Sequence, residues 1–188
     1  MPAKKDFGIR VENIVASAAF GVTIALEKIV SQLDGMEYEP EQFPGLVYRM
    51  KKPKAAALIF GSGKIVCTGA RSIADVKTVF KKVVAVVQKT GVKVPKDFKV
   101  QVENIVASAK LDANLNLDKI AFNLENSEYE PEQFPGLVYR MKDPKVAFLL
   151  FGSGKIVCTG ARSVKDVGIA VKKVSAKLKS IGAMVKRP

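Results

Sequence analysis

EYEPEQFPGLVYRMK, from Glu37 to Lys51, returns letter for letter from Glu128 to Lys142. Around it, FGSGKIVCTGARS occupies Phe60 to Ser72 and again Phe151 to Ser163, and VENIVASA starts at Val11 and again at Val102. All three pairs keep one offset, so the copies align without a gap. Roughly 50 of about 80 aligned positions are identical, which makes this a tandem duplication of one structural unit rather than a solenoid of short repeats. The expected product is a pseudo-twofold molecule: residues 1–95 form the first repeat, residues 96–188 the second, and GVKVPKDFK (91–99) is the boundary.

Periodicity within a copy alternates between strand and helix. Residues 9–17 alternate as a strand does, and Val22, Leu26, Ile29 and Leu33 recur at helical spacing. Short extended segments follow near 37–39, 45–51, 55–60 and 64–69, cut by Pro and Gly, with Gly61-Ser62-Gly63 reading as a tight hairpin. Ser72 with Asp75 three residues on opens a helix whose stripe is Ile73, Val76, Phe80, Val83 and Val87. Ser163 and Asp166 do the same ahead of Val164, Val167, Val171, Val174 and Leu178. Each copy therefore reads strand, helix, four strands, helix. The fold class is α+β, with two pseudo-symmetric repeats forming one curved ten-stranded antiparallel sheet and four helices on its convex face.

Composition narrows the function. The chain has 188 residues, 48% of them hydrophobic, and carries 31 Lys and Arg against 18 Asp and Glu, a formal charge of +13. That charge suits a polyanionic partner. Histidine is absent, which removes the usual general base and metal ligand. Cys67 and Cys158 lie at matching places in apolar KIVCTG runs and read as buried core residues. No apolar run approaches ~18 residues and the leader lacks a signal-peptide core, so a soluble intracellular protein is expected. GSGK misses the spacing of a phosphate loop. The acidic cluster Glu37, Glu39 and Glu41 has no basic or metal-binding partner nearby in sequence and reads as a solvated edge or docking surface. Lys77, Lys81, Lys82, Lys165, Lys172 and Lys173 fall in the closing helices, away from the open sheet face.

Strand alternation separates the two faces of the sheet. Ile14, Ala16, Leu46, Tyr48, Met50, Ala57, Ile59, Ile65 and Cys67 form the helix-covered side. Asn13, Val15, Val47, Arg49, Leu58, Phe60, Lys64, Val66 and Thr68 form the other, as do their nine counterparts from Asn104 to Thr159. An apolar face of this extent on a soluble protein is a binding surface. Aliphatics for smooth contact, an Asn amide to donate to purine N3 and pyrimidine O2, and cations at the strand ends suit the minor groove of A·T-rich DNA, with exposed phenylalanines as wedges. Packing against a partner protein or a second copy is the alternative these residues leave open.

At these blocks the chain closely resembles the TATA-box-binding protein family, general transcription initiation factors of archaea and eukaryotes, over roughly residues 8–182. The paired NIVAS strands, EYEPEQFPGLVYRM stirrup loops and FGSGKIVCTGAR hairpins carry the resemblance. It implies intercalation by Phe43, Phe60, Phe134 and Phe151. It implies minor-groove contact by Asn13, Val15, Leu58, Val66 and Thr68 in the first copy and by Asn104, Val106, Leu149, Val157 and Thr159 in the second. Arg49, Ser62, Lys64, Arg71, Arg140, Ser153, Lys155 and Arg162 match phosphate-contacting positions, and Glu130, Glu132 and Gln133 match the surface that meets transcription factor B. The implied partners are A·T-rich double-stranded promoter DNA, transcription factor B and the RNA polymerase pre-initiation complex, with no membrane, no catalysis, no metal and no cofactor. The short leader looks archaeal, which implies a nucleoid-associated cytoplasmic protein, or a nuclear one if eukaryotic. The protein is expected to act as a monomer on DNA, with dimerisation of the free form left open.

Overall fold

The computed structural model describes residues 7–188. They form two compact units: Asn13–Glu103, and the residues up to Glu12 together with Asn104–Pro188.

The first unit contains β1 (Arg10–Ala19, its first residues lying in the other unit), β2 (Met36–Glu37), β3 (Leu46–Lys51), β4 (Lys54–Ile59) and β5 (Lys64–Ala70), followed by helix α1 (Ile73–Gln88). Its strands are antiparallel and lie in the order β2-β3-β4-β5-β1. The second unit contains β6 (Gln101–Lys110, its first residues lying in the other unit), β7 (Asn114–Leu115), α2 (Leu117–Asn123), β8 (Ser127–Glu128), β9 (Leu137–Met141), β10 (Val146–Leu150), β11 (Lys155–Ala161), α3 (Val164–Ser180) and β12 (Met184–Val185). Its sheet order is β8-β9-β10-β11-β6, and β7 pairs with β12 in a small second sheet that the sequence did not announce. Ten sheet strands with four helical segments match the expected α+β class.

Both closing helices begin as expected. Ser72 Oγ accepts from Asp75 N at 3.0 Å and Ser163 Oγ from Asp166 N at 3.1 Å, caps worth about 1 kcal/mol each. The apolar stripe loses its first member and gains Val79 and Val86: Val76, Val79, Phe80, Val83, Val86 and Val87 are buried, while Ile73 and Val164 are 41% and 48% exposed. Those two residues stand in the first helical turn, ahead of the first contact with the sheet. Ile14, Ala16, Leu46, Ala57, Ile59, Ile65 and Cys67 lie at 0% exposure on the helix-covered side of the first sheet. The boundary peptide joins this core, because the Phe98 ring packs 4.7 Å from that of Phe20 and 6.3 Å from that of Phe80.

The helix expected across residues 22–33 is reduced to a single 3-10 turn, Leu26–Lys28. Its counterpart is the seven-residue α2. The difference lies at the cap. Asn116 Oδ1 accepts from Lys119 N at 3.1 Å, whereas the first copy places Ala25 there, with no side-chain cap. Leu33, assigned to the helical stripe, is 44% exposed.

Candidate nucleic-acid interface

Antiparallel register assembles the open face into rows. In the first sheet Val47 stands opposite Leu58, Leu58 opposite Val66, and Val66 opposite Ser17. One step along, Arg49, Ala56 and Thr68 form a parallel row. The second sheet repeats both, as Val138, Leu149, Val157 and Ser108, and as Arg140, Ala147 and Thr159. Every member is half-buried except the two arginines, which are exposed. Val15 and Val106 are half-buried on the same faces. Alternation read from sequence thus identified this surface, but it passed over Ser17, Ala56 and their counterparts. Extending the alternation two residues further would have found them.

The asparagines are held by a backbone irregularity. Ile14 pairs with Ala70 and Ala16 with Cys67, so two steps along β1 meet three along β5, and the extra residue makes a bulge at Gly69, φ +91°. The amide of Gly69 donates to Asn13 Oδ1 at 2.7 Å. In the second unit the amide of Gly160, φ +102°, donates to Asn104 Oδ1 at the same 2.7 Å. This bond fixes which way each amide is turned, its oxygen towards the bulge and its NH₂ left as the donor. Asn104 Nδ2 also reaches Thr159 Oγ1 at 3.4 Å.

The phenylalanines come in edge-to-face pairs. Phe43 and Phe60 have ring centroids 5.8 Å apart, and Phe134 and Phe151 5.9 Å apart. Phe43 and Phe134 are 38% and 41% exposed. Each pair closes over a glycine: a Cβ on Gly45 would meet the two rings at 2.9 and 3.0 Å, and one on Gly136 at 2.8 and 3.0 Å. The stirrup loops share one turn, with Gln42 and Phe43 donating to Glu39 O in the first and Gln133 and Phe134 to Glu130 O in the second. Glu130, Glu132 and Gln133 are all exposed.

The hairpin turns Gly61–Gly63 and Gly152–Gly154 close by amide bonds from Phe60 N to Lys64 O and from Phe151 N to Lys155 O, both 3.0 Å. Ser62 Oγ accepts from Lys64 N and Ser153 Oγ from Lys155 N, each at 3.4 Å. Gly63, φ +91°, admits no side chain, since a Cβ would collide with the Val22 carbonyl oxygen. Lys64, Lys155, Arg71 and Arg162 are exposed. Ser62 and Lys64 share a groove of about 470 Å³ with Ser17, Lys99 and Gln101. Lys99 and Gln101 belong to the boundary peptide and its following strand, and sequence reading did not single them out. In the second unit Arg140 and Thr159 share a groove of about 600 Å³ with Lys142 and Lys145, two further cations that the sequence reading passed over. Arg71 and Arg162 line neither groove.

Two carboxylates also reach this surface. Ser17 Oγ donates to Glu103 Oε1 at 2.6 Å and Ser108 Oγ to Glu12 Oε1 at 2.8 Å. Arg49 lies 3.9 Å from Glu37 in an exposed pair, which contributes little. Both cysteines are buried and free, and burial pushes each thiol from 9.0 up to about 11, with Asp75 adding to the shift at Cys67. Among the described residues no group of three or more His, Cys, Asp or Glu could hold a metal ion, and no helix is long and apolar enough to cross a membrane.

Comparison with known proteins agrees with this geometry. The TATA-box-binding protein of Methanothermobacter thermautotrophicus is 55% identical over 173 residues, covering 92% of this chain and 96% of the relative. That of Archaeoglobus fulgidus is 50% identical over 182 residues, covering 96% and 100%. The solved structure of Methanococcus jannaschii TBP matches with a TM-score of 0.85 at 48% identity, covering 92% of this chain and 98% of that one. The family described as transcription factor TFIID (or TATA-binding protein, TBP) matches twice, over residues 8–90 and 99–181, one match to each repeat. The chain belongs to the TATA-binding protein family, a family of transcription factors and not of enzymes.

Proposed function

We propose that this chain binds the minor groove of A·T-rich promoter DNA through the open faces of its two sheets, kinks the duplex with its four paired phenylalanines, and presents it to transcription factor B and RNA polymerase. The observation that carries the reading is the locked asparagine in each repeat. Asn13 and Asn104 present a hydrogen-bond donor from the middle of an otherwise aliphatic surface, and the floor of an A·T minor groove is lined with acceptors only. Val15, Leu58 and Val66, with Val106, Leu149 and Val157, give apolar contact on either side. The half-exposed rings of Phe43 and Phe134, each backed by its partner ring, are stiff enough to enter a base step. Unstacking costs a few kcal/mol per step, offset by the extra surface that a bent duplex meets.

Arg49, Lys64 and Arg71, with Arg140, Lys155 and Arg162, are the cations assigned to phosphates. If about six contacts form, the log-log slope of affinity against salt is near −5. Glu130, Glu132 and Gln133 offer the exposed acidic surface to transcription factor B. Fluorescence energy transfer across a short duplex tests the proposal, with a TATAAA element compared against a G·C-rich control at two salt concentrations. Tight, salt-sensitive binding with a large bend on the A·T duplex alone is expected. Equal, weak binding without a bend would refute it.

A further inference from the structure

The two repeats differ behind the stirrup: each carries a groove of about 520 Å³ there, lined by residues 30–36 without a cation in the first repeat and by several cations in the second. In the first repeat Gln32 Nε2 donates to Val86 O on α1 at 3.2 Å and to Lys28 O at 3.3 Å, tying the segment after the 3-10 turn to the long helix. The residue at the same place in the second repeat is Asn123, one methylene shorter. It turns back to donate to Lys119 O within its own helix at 2.8 Å. Val86 is replaced by Lys177, whose ammonium lies 5.8 Å from the centroid of the Tyr139 ring. A cleft of about 520 Å³ is left between the end of α2, the outer edge of β9 and α3.

Its charge pattern is mixed but cationic. Arg140, Lys142, Lys173 and Lys177 line it together with Glu125 and Asp143. Lys173 is occupied by the turn beside it, donating to Asp143 O at 2.8 Å with the Asp143 carboxylate 3.7 Å away. Arg140, Lys142 and Lys177 line the cleft with no side-chain hydrogen bond or ion pair to the described residues, Lys177 lying against the Tyr139 ring, and Glu125 stands among them. We infer that this cleft is a docking site for an acidic peptide segment of a partner protein. A peptide supplies both complements, side-chain carboxylates for Lys142 and Lys177 and backbone N–H donors for Glu125. A nucleic-acid strand would bring phosphates to lysine and glutamate alike, which disfavours it here. The cleft shares Asn126, Arg140, Met141 and Lys142 with the groove on the open sheet face, so Lys177, which lines this cleft and not that groove, is the residue that sets it apart.

The test gives the second repeat the side chains of the first, whose groove has no cation in its lining. Asn123→Gln with Lys177→Val copies Gln32 and Val86, while Lys165→Ala removes an exposed α3 lysine outside the cleft as a control. Binding of a short fluorescein-labelled peptide of aspartate and glutamate is followed by anisotropy at physiological salt, and circular dichroism checks the fold. The expected result is about tenfold weaker binding for the double variant, the loss of one good ionic contact, and less than about twofold for the control. Should the double variant not fold, Lys177→Ala alone carries the comparison. Equal weakening by Lys165→Ala, or no measurable binding by the unaltered chain, would overturn the inference.

Discussion

Replacing Asn104 by Asp separates the two jobs of that side chain. The carboxylate keeps an oxygen where Oδ1 now accepts the Gly160 amide at 2.7 Å, so the bulge remains satisfied and stability should change by less than about 1 kcal/mol. What disappears is the NH₂ donor, and in its place a negative charge faces the acceptors of the groove floor. Losing a hydrogen bond and leaving its acceptor unpaired costs about 1–3 kcal/mol, and repulsion adds to it. A loss of affinity for a TATAAA duplex of at least about fivefold follows, rising towards about 100-fold at the upper end, since 1.4 kcal/mol is tenfold. Asn104→Ala is the companion variant. It removes the donor without adding charge but also orphans the Gly160 amide, so it should bind better than the Asp variant while being about 1–2 kcal/mol less stable than it. Duplex binding by anisotropy and urea denaturation read the two effects separately. An Asp variant that binds like the parent, or one as unstable as the Ala variant, would refute this division of labour.

Phe134→Ala removes a ring that is 41% exposed and one half of an edge-to-face pair. Stability should fall by only about 1 kcal/mol, while the bend angle measured by energy transfer drops. Glu12→Gln with Glu103→Gln removes the two anions hydrogen-bonded to Ser108 and Ser17, and at low salt duplex affinity should rise severalfold, with the gain fading as salt screens it. The cysteines give a pH prediction. A thiol raised from 9.0 to about 11 in the folded state keeps its proton where the unfolded chain loses it, so stability is unaffected below about pH 9 and falls as pH rises towards 11. Urea midpoints of the parent should decline more steeply over that window than those of a Cys67→Ala, Cys158→Ala variant.

The sheet faces were legible because strands alternate with a period of two, and one glance at KIVCT separates Ile65 and Cys67 from Val66 and Thr68. The starts of α1 and α3 were legible because Ser72 and Ser163 carry a local chemical signal three residues from its partner. Features that join distant parts of the chain were not. Val22, Leu26, Ile29 and Leu33 have helical spacing, yet spacing does not report the missing cap at Ala25. Gly69 and Asn13 lie 56 residues apart, so nothing local says that the glycine's amide fixes the asparagine. The two carboxylates near Ser17 and Ser108, and the different bonds that Gln32 and Asn123 make, depend in the same way on tertiary reach. Repetition itself hid the last of these, because copies identical over fifteen residues invite the assumption that their surroundings are identical too.

An amide side chain whose two ends are free can turn over, greeting a donor with its oxygen or an acceptor with its nitrogen, and so tolerates either kind of base edge. The bulges at Gly69 and Gly160 take that choice away. In the proposed complex a guanine's amino group reaching Asn13 or Asn104 would meet another donor, the amide oxygen being turned towards the bulge and held by the Gly69 or Gly160 amide. In that complex, rejection of a G·C pair at these positions would be a property of the main chain of β5 and β11, and smoothing out either bulge would lower discrimination before it lowered affinity.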